Sequence, residues 1–304
     1  MARGRAAGLR AALVGSLAAL ALPLGALLVP AHAGERCVED DAGATVCLDE
    51  PAERIVALSP GAVELLFAAG AGDRVAAAVS HADYPPEAAG LPRVGSYDRL
   101  DMEAILAQRP DLVVGWSSGN PSNQLERLDA LEVPLYRSEP RELSDIPATL
   151  ERLGRLAGTA EAAARAAADF RAGVDELAAT YADREPVRVF YQIWADPVMT
   201  VNDEQIISES IRVCGGENVF GDLERLTPRL DEEAVLAADP EAIVSGGMGE
   251  ADDSWLDAWR RYDSLQAVRA GNLFFVPPST LQRPTPRLLE GTAELCRKLE
   301  QARR

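Results

Sequence analysis

The chain has 304 residues, with 48 acidic against 30 basic side chains, a formal net charge of −18 and 5% aromatic content. Such acidity argues against nucleic acid or an anionic membrane surface as a partner and favours a soluble protein, with either a basic partner or a plain solvated surface.

The first 33 residues read separately from the rest. "MARGRAAGLR" supplies three arginines, an apolar run follows, and "AHA" supplies small residues at its end. This pattern predicts a secretory signal peptide cleaved after Ala33, with a retained membrane anchor as the competing reading. Cys37 is not the residue after the cleavage point, which speaks against a lipid anchor. Removing the leader and its three arginines takes the net charge to −21. No later run approaches the ~18–20 apolar residues of a membrane span. The exported portion has four cysteines, Cys37, Cys47, Cys214 and Cys296, an even number that reads as disulfides. "CVEDDAGATVC" has the form of a small hairpin, which makes Cys37–Cys47 the natural local pair and leaves Cys214–Cys296 to tie two distant segments. A zinc site is the competing reading, but there is no CxxC and His81 is the only histidine after residue 33.

Along the chain, "RIVALS" (54–59) is a strand running into the helix "PGAVELLFAAGAGD", with Pro60 suited to a first turn. "RVAAAVS" (74–80) is a second strand, followed by the proline- and aromatic-rich loop "SHADYPPEAAGLPRVGSY". A helix over 101–110, the strand "DLVVGW", the helix "NQLERLDALE" and the strand "VPLYRS" complete a β-α rhythm, the mark of a mostly parallel sheet. Residues 144–157 form a helix broken by Gly158. Thr159 to Asp183 form a longer, alanine-rich helix of about 35 Å, enough to cross between lobes. The alternation then restarts: strand 187–194, helix "EQIISESIRVCGG", helix "DEEAVLAAD", strand "PEAIVSGG", helix "SWLDAWRRYDSL", strand "LFFVPP" and terminal helix "RLLEGTAELCRKLEQA". The predicted fold class is α/β: two lobes with mostly parallel sheets flanked by helices, joined by a single long α-helix. The expected boundaries are 34–143 for the N-terminal lobe, 144–184 for the connecting helices and 185–304 for the C-terminal lobe. One continuous sheet is the rival.

Ligands of parallel α/β sheets sit beyond the carboxyl ends of the strands. The residues expected there are Ser59, His81, Tyr84, Tyr97, Trp116 to Asn120, Trp194, the loop "GGMGEADD" and "STLQRPTPR". Aromatics gather at these rims, which suits a cleft gripping a large, flat, partly apolar ligand; the alternative is that each plugs its own lobe. No G-x-G-x-x-G follows a strand and no P-loop is present, and Ser/His/Asp chemistry would have to use His81, the only histidine after residue 33, so the chain is not expected to be an enzyme. An exported hydrolase using His81 is the competing class.

"RIVALSPGAVELLFAAGAGDRVAAAVSHADYPPEA", "PDLVVGW", "ESIRVCGGENVF" and "TPRLLEGTAELC" together resemble the periplasmic cobalamin-binding proteins of ABC importers. These belong to the class of substrate-binding proteins with a single helical backbone, which also takes haem and ferric siderophores. The resemblance covers nearly all of the chain after the leader. It implies a periplasmic monomer without a catalytic cofactor or resident metal, which captures a corrinoid, or alternatively haem or a ferric siderophore. It further implies that Trp116 lies against the corrin, that His81 and Tyr97 stand at the cleft, and that Arg283 is near the ligand. Trp194 is expected at the same rim from its place after a strand. Glu103 and Glu233, one per lobe, match glutamates that engage arginines on the membrane permease subunits. Cys214 and Cys296 match a disulfide of the second lobe. The sequence departs from this pattern at Ser279, Thr280 and Leu281, where an acidic and aromatic run is expected, and near Thr227, where a tryptophan is expected. Tyr97 and His81 carry atoms able to bind iron, but the haem pattern places its tyrosine one residue earlier, at Ser96.

Overall fold

The computed structural model of the protein describes Met1 and residues 36–304 apart from 182 and 248. The leader over 1–33 and its cleavage point after Ala33 lie outside the described residues. Among the described residues no helix is long and apolar enough to cross a membrane.

Two separate four-stranded sheets form, one from each half. In the first, Val75–Ala78, Ile55–Ala57, Leu112–Trp116 and Leu135–Ser138 lie side by side in that order, all parallel. In the second the order is Gly216–Asn218, Val187–Gln192, Ala242–Ser245 and Leu273–Phe275, again all parallel. Among the described residues the rival single sheet does not form. These central strands are short and apolar on both faces, as parallel strands sandwiched between helices must be.

Alternation along the strands divides the interior. Val56, Leu58 and Val113 enter a cluster confined to the first lobe, and Phe190 and Ile243 a cluster confined to the second. Their neighbours Ile55, Ala57, Leu112, Val114, Val189, Tyr191, Ala242 and Val244 all belong to one core shared by both lobes. Period-two side-chain direction sends alternate residues to opposite faces, so each sheet turns one face to its own helices and the other to the common interior.

The helices around that interior follow their local signals. Pro60–Ala68 starts with Ser59 as N-cap, its hydroxyl accepting from the Ala62 N–H at 3.0 Å. Asp145–Ala157 ends at Gly158 in the left-handed region (φ +70°). The long helix, Ala160–Tyr181, packs on Asp145–Ala157 and on the C-terminal helix Leu288–Ala302, and so joins the halves.

The hairpin Arg36–Glu39/Thr45–Leu48 places Cys37 opposite Cys47 in a disulfide and packs on Asp145–Ala157. Asp41, from its turn, pairs with Arg152, whose Nη1 also reaches the Tyr136 hydroxyl at 3.1 Å. Burial, reinforced by Asp41, pushes the Tyr136 phenol up to about 12.

Three elements differ from the sequence expectation. The predicted helix "SWLDAWRRYDSL" breaks into Ser254–Asp257 and the 3-10 turn Trp259–Arg261, and a further helix, Gln266–Ala270, begins only after its end. Trp259 leaves the helical path to become buried, donating its Nε1–H to Gln192 Oε1 at 2.8 Å. The strand expected over 187–194 ends at Gln192, and Trp194 belongs to a separate two-residue hairpin with Val198–Met199. Gly216–Asn218 has little strand propensity of its own, yet pairs with Val187–Val189 as an edge strand.

Candidate functional site

The carboxyl ends of the first sheet carry the first wall. The loop after Val75–Ala78 is braced from inside by Arg93, whose guanidinium donates to the carbonyls of Val79, Ala82, Ala88 and Ala89 at 3.0–3.2 Å. His81 opens this loop in the left-handed region (φ +62°), a conformation that costs a non-glycine residue roughly 1–2 kcal/mol, and its side chain is exposed. The Ser80 hydroxyl donates to Gly95 O at 3.0 Å and ties the loop to the segment bearing Tyr97. Tyr97 and Trp116 come together, with ring centroids 5.7 Å apart and planes tilted by 49°.

Two residues that the sequence places in the loop after the strand, without a role of their own, fix this pair. Buried Asn120 accepts from the Trp116 N–H at 2.7 Å and donates its Nδ2 to Leu58 O at 2.9 Å and Tyr97 O at 2.7 Å. It thereby ties together the ends of two strands and the Tyr97 loop. Gly119 lies under the Trp116 indole: a Cβ there would sit 1.9 Å from Trp116 Cε3. Only glycine lets that ring occupy its place.

The second wall starts at Trp194, 43% exposed, whose ring meets Trp255 at 5.8 Å and 67°. Arg283 and its neighbours join the halves. Glu64, on Pro60–Ala68, is 3% exposed. Its Oε1 lies 2.8 Å from Arg283 Nη1 and 3.7 Å from Arg287 Nη1, and its Oε2 accepts from the Thr285 hydroxyl at 2.8 Å. Arg283 also lies 3.7 Å from Asp83, and the Arg287 guanidinium lies 4.1 Å above the Tyr84 ring. These contacts connect loops at the carboxyl ends of the first sheet to the segment after Leu273–Phe275. Ser279, one of the departures from the expected pattern, donates its hydroxyl to Glu250 at 2.6 Å and receives Arg287 Nη2 at 3.3 Å. Gln282 Nε2 donates to the hydroxyl of Tyr191, whose phenol burial drives well above its ordinary range.

Glu103 and Glu233 are exposed and lie apart from these walls in sequence, in the first turns of Met102–Ala107 and Glu232–Ala238. Their settings match residue for residue. "RLDMEAILAQRP" and "RLDEEAVLAADP" share R-L-D-x-E-A-x-L-A-x-x-P. Asp101 and Asp231 cap the helices by accepting from Ala104 N at 3.0 Å and Ala234 N at 2.8 Å. Ile105 and Val235 are fully buried, and Arg109 and Asp239 both take positive φ before a proline. This internal repeat, more specific than a common rhythm of elements, was the available signal for pairing the two glutamates. Glu64 and Trp255 had no comparable signal.

Two α/β lobes on one helical backbone, linked by the Glu64–Arg283–Arg287 contacts, define a binding-protein architecture. The chain belongs to the periplasmic binding protein family, whose sequence profile matches residues 55–280. It is 36% identical over 256 residues to the vitamin B12-binding protein of Vibrio parahaemolyticus, an alignment covering 84% of this chain and 92% of that protein. The crystal structure of the periplasmic vitamin B12-binding protein BtuF of Vibrio cholerae superposes with a TM-score of 0.77 at 34% identity, covering 83% of this chain and 98% of that one. The periplasmic haem-binding protein RhuT of a Roseiflexus species superposes at 0.73 with 25% identity, covering 83% and 99%. Cys214 and Cys296 are bonded, as the resemblance implies.

Proposed function

We propose that this protein captures a corrinoid of the cobalamin type between its lobes and delivers it to the membrane subunits of an ABC importer, without covalent chemistry. The Tyr97–Trp116 pair carries this reading: a rigid aromatic wall at the junction suits a flat, partly apolar macrocycle. His81 flanks the wall, and Trp194 faces the ligand from the second lobe. Arg283 gives Nη1 to Glu64, and its remaining N–H groups serve the amide periphery. Residues 34–143 and 185–304 act as the two lobes and 144–184 as their connection. The protein reaches the periplasm by cleavage after Ala33 and works as a monomer. The vitamin B12-binding relatives support the ligand class.

Calorimetric titration of the purified protein with cyanocobalamin, cobinamide, hemin and a ferric hydroxamate tests this. The corrinoids should bind, and Trp116→Ala and Gly119→Ala should each weaken them roughly tenfold. A Soret band with hemin and no heat with either corrinoid would instead establish the haem reading, which the exposed His81 and the Tyr97 phenol support.

Glu103 and Glu233 form the docking pair. Their exposure at matching helix starts, one per lobe, suits a two-fold partner surface bearing basic residues. The variant carrying both Glu103→Ala and Glu233→Ala should keep the wild-type ligand affinity and lose stimulation of importer ATPase in proteoliposomes. Undiminished stimulation would remove the pair from the interface.

A further inference from the structure

The first sheet has two outer strands, Val75–Ala78 and Leu135–Ser138. The free backbone groups of an outer strand pair readily with another chain, and native proteins cover or interrupt them. At Val75–Ala78 the loop that follows does the covering: Ala78 N donates to Pro92 O at 2.9 Å and Val94 N to Ala78 O at 3.0 Å. Leu135–Ser138 is covered by a segment that lies 97 residues earlier in the chain, the turn of the disulfide hairpin. The family profile begins at residue 55, so this hairpin precedes it.

The turn meets the strand edge group by group. Asp41 N donates to Arg137 O at 3.0 Å, Asp40 Oδ2 accepts from Arg137 N at 3.1 Å and Asp41 Oδ2 accepts from Glu139 N at 2.6 Å. Two of these acceptors are carboxylates standing where the carbonyls of a neighbouring strand would stand. The edge is thereby satisfied without presenting a new strand to which a further chain could add. Asp40 is buried and shaped by its own turn, its Oδ1 accepting from Ala42 N at 3.0 Å and Ala44 N at 2.8 Å. Asp41 is held from the other side by Arg152. Behind the turn, the Cys37–Cys47 bridge joins the two hairpin strands, and Val38, Val46 and Leu48 enter the shared core. Without the turn, Arg137 would present both its N–H and its C=O to solvent. A residue with that orientation can pair with its own copy across a two-fold axis, exchanging both bonds in an antiparallel ladder. The charge of Arg137 is already met by Asp129, so two copies brought together there do not oppose bare cations.

We infer that the hairpin turn is an intramolecular plug that keeps a second copy of this chain off the Leu135–Ser138 edge. Hydrogen exchange at single amides and light scattering over a dilution series test it on the purified protein. In wild type the Arg137 and Glu139 amides should be protected and the protein monomeric; exchange there at the rate of an open chain overturns the plug before any variant is made. In the variant carrying both Asp40→Ala and Asp41→Ala, these two amides should exchange roughly tenfold faster at the dilute end of the series. At the concentrated end the same variant should form dimers. Asp41→Asn, which keeps an acceptor oxygen, should remain monomeric. Adding Arg137→Pro to the double variant removes the edge donor and should restore the monomer. A double variant that stays monomeric at every concentration overturns the inference, and so does association that survives Arg137→Pro, which would place the contact elsewhere. Should unfolding temperatures show that the double variant does not fold, Asp41→Ala alone decides by the Glu139 amide: a roughly tenfold faster exchange supports the plug and an unchanged rate overturns it.

Discussion

Replacing Glu64 with alanine is expected to destabilise the protein by about 3–5 kcal/mol, the usual cost of removing one partner from a buried ion pair. The carboxylate is almost wholly buried and engages Arg283, Arg287 and Thr285, all more than 200 residues away in the chain. Alanine would leave two guanidinium groups facing each other across a space that held their counter-ion, with the Thr285 hydroxyl unpaired as well. Glu64→Gln should cost less, because the amide keeps the volume and a hydrogen-bonding oxygen while losing the charge. Urea unfolding followed by circular dichroism reads both, as a shift of midpoint at constant slope. A change under 1 kcal/mol in Glu64→Ala would mean that water replaces the carboxylate and that the lobes are held by the shared core alone.

The paired replacement of Cys214 and Cys296 by alanine should cost about 4.5 kcal/mol, against about 2.7 kcal/mol for Cys37 and Cys47, on the chain-entropy relation. The difference follows from sequence separation, 82 residues for the first bridge and 10 for the second. Both Cys214 and Cys296 are fully buried, joining the end of Ile206–Val213 to Leu288–Ala302 beneath the second sheet. Their loss also leaves a void in the shared core, which adds to the cost. At about 2 °C per kcal/mol for a chain of this size, scanning calorimetry should show a fall of roughly 9 °C for the longer bridge and roughly 5 °C for the shorter. Equal falls, or the reverse order, would show that strain or residual structure in the unfolded chain dominates over loop closure.

The two-lobe architecture was legible because its signals are local. Buried parallel strands appear as short apolar runs, Ser59–Pro60 announces a helix start, and Gly158 announces a helix end. That Tyr97 and Trp116 gather at the carboxyl ends of the first sheet was legible from their positions after strands. Other features depend on what the chain meets only after folding. Glu64 sits within "VELLFAA" as one acid beside apolar neighbours, and its partners come from the far end of the sequence. Gly119 is required by a ring three residues earlier whose direction no spacing reveals. "GEN" at 216–218 becomes a strand because Val187–Val189 offers it an edge. Trp255 and Trp259 share one apparent helix until burial of Trp259 breaks it, leaving Trp255 at the rim. The R-L-D-x-E-A repeat was open to direct reading, but it spans loop, helix and turn, so a search by element type passes over it.

The core common to both lobes bears on how quickly such a carrier works. Swinging the halves apart like a book would tear apolar contacts out of that interior, at about 25 cal/mol for each Å² wetted. The mouth therefore stays nearly the same width whether vacant or filled. Uptake then needs no slow shutting step and proceeds at the pace of productive collisions. A membrane receptor that must tell a loaded carrier from an unloaded one has to sense what fills the opening, since the posture of the molecule hardly changes.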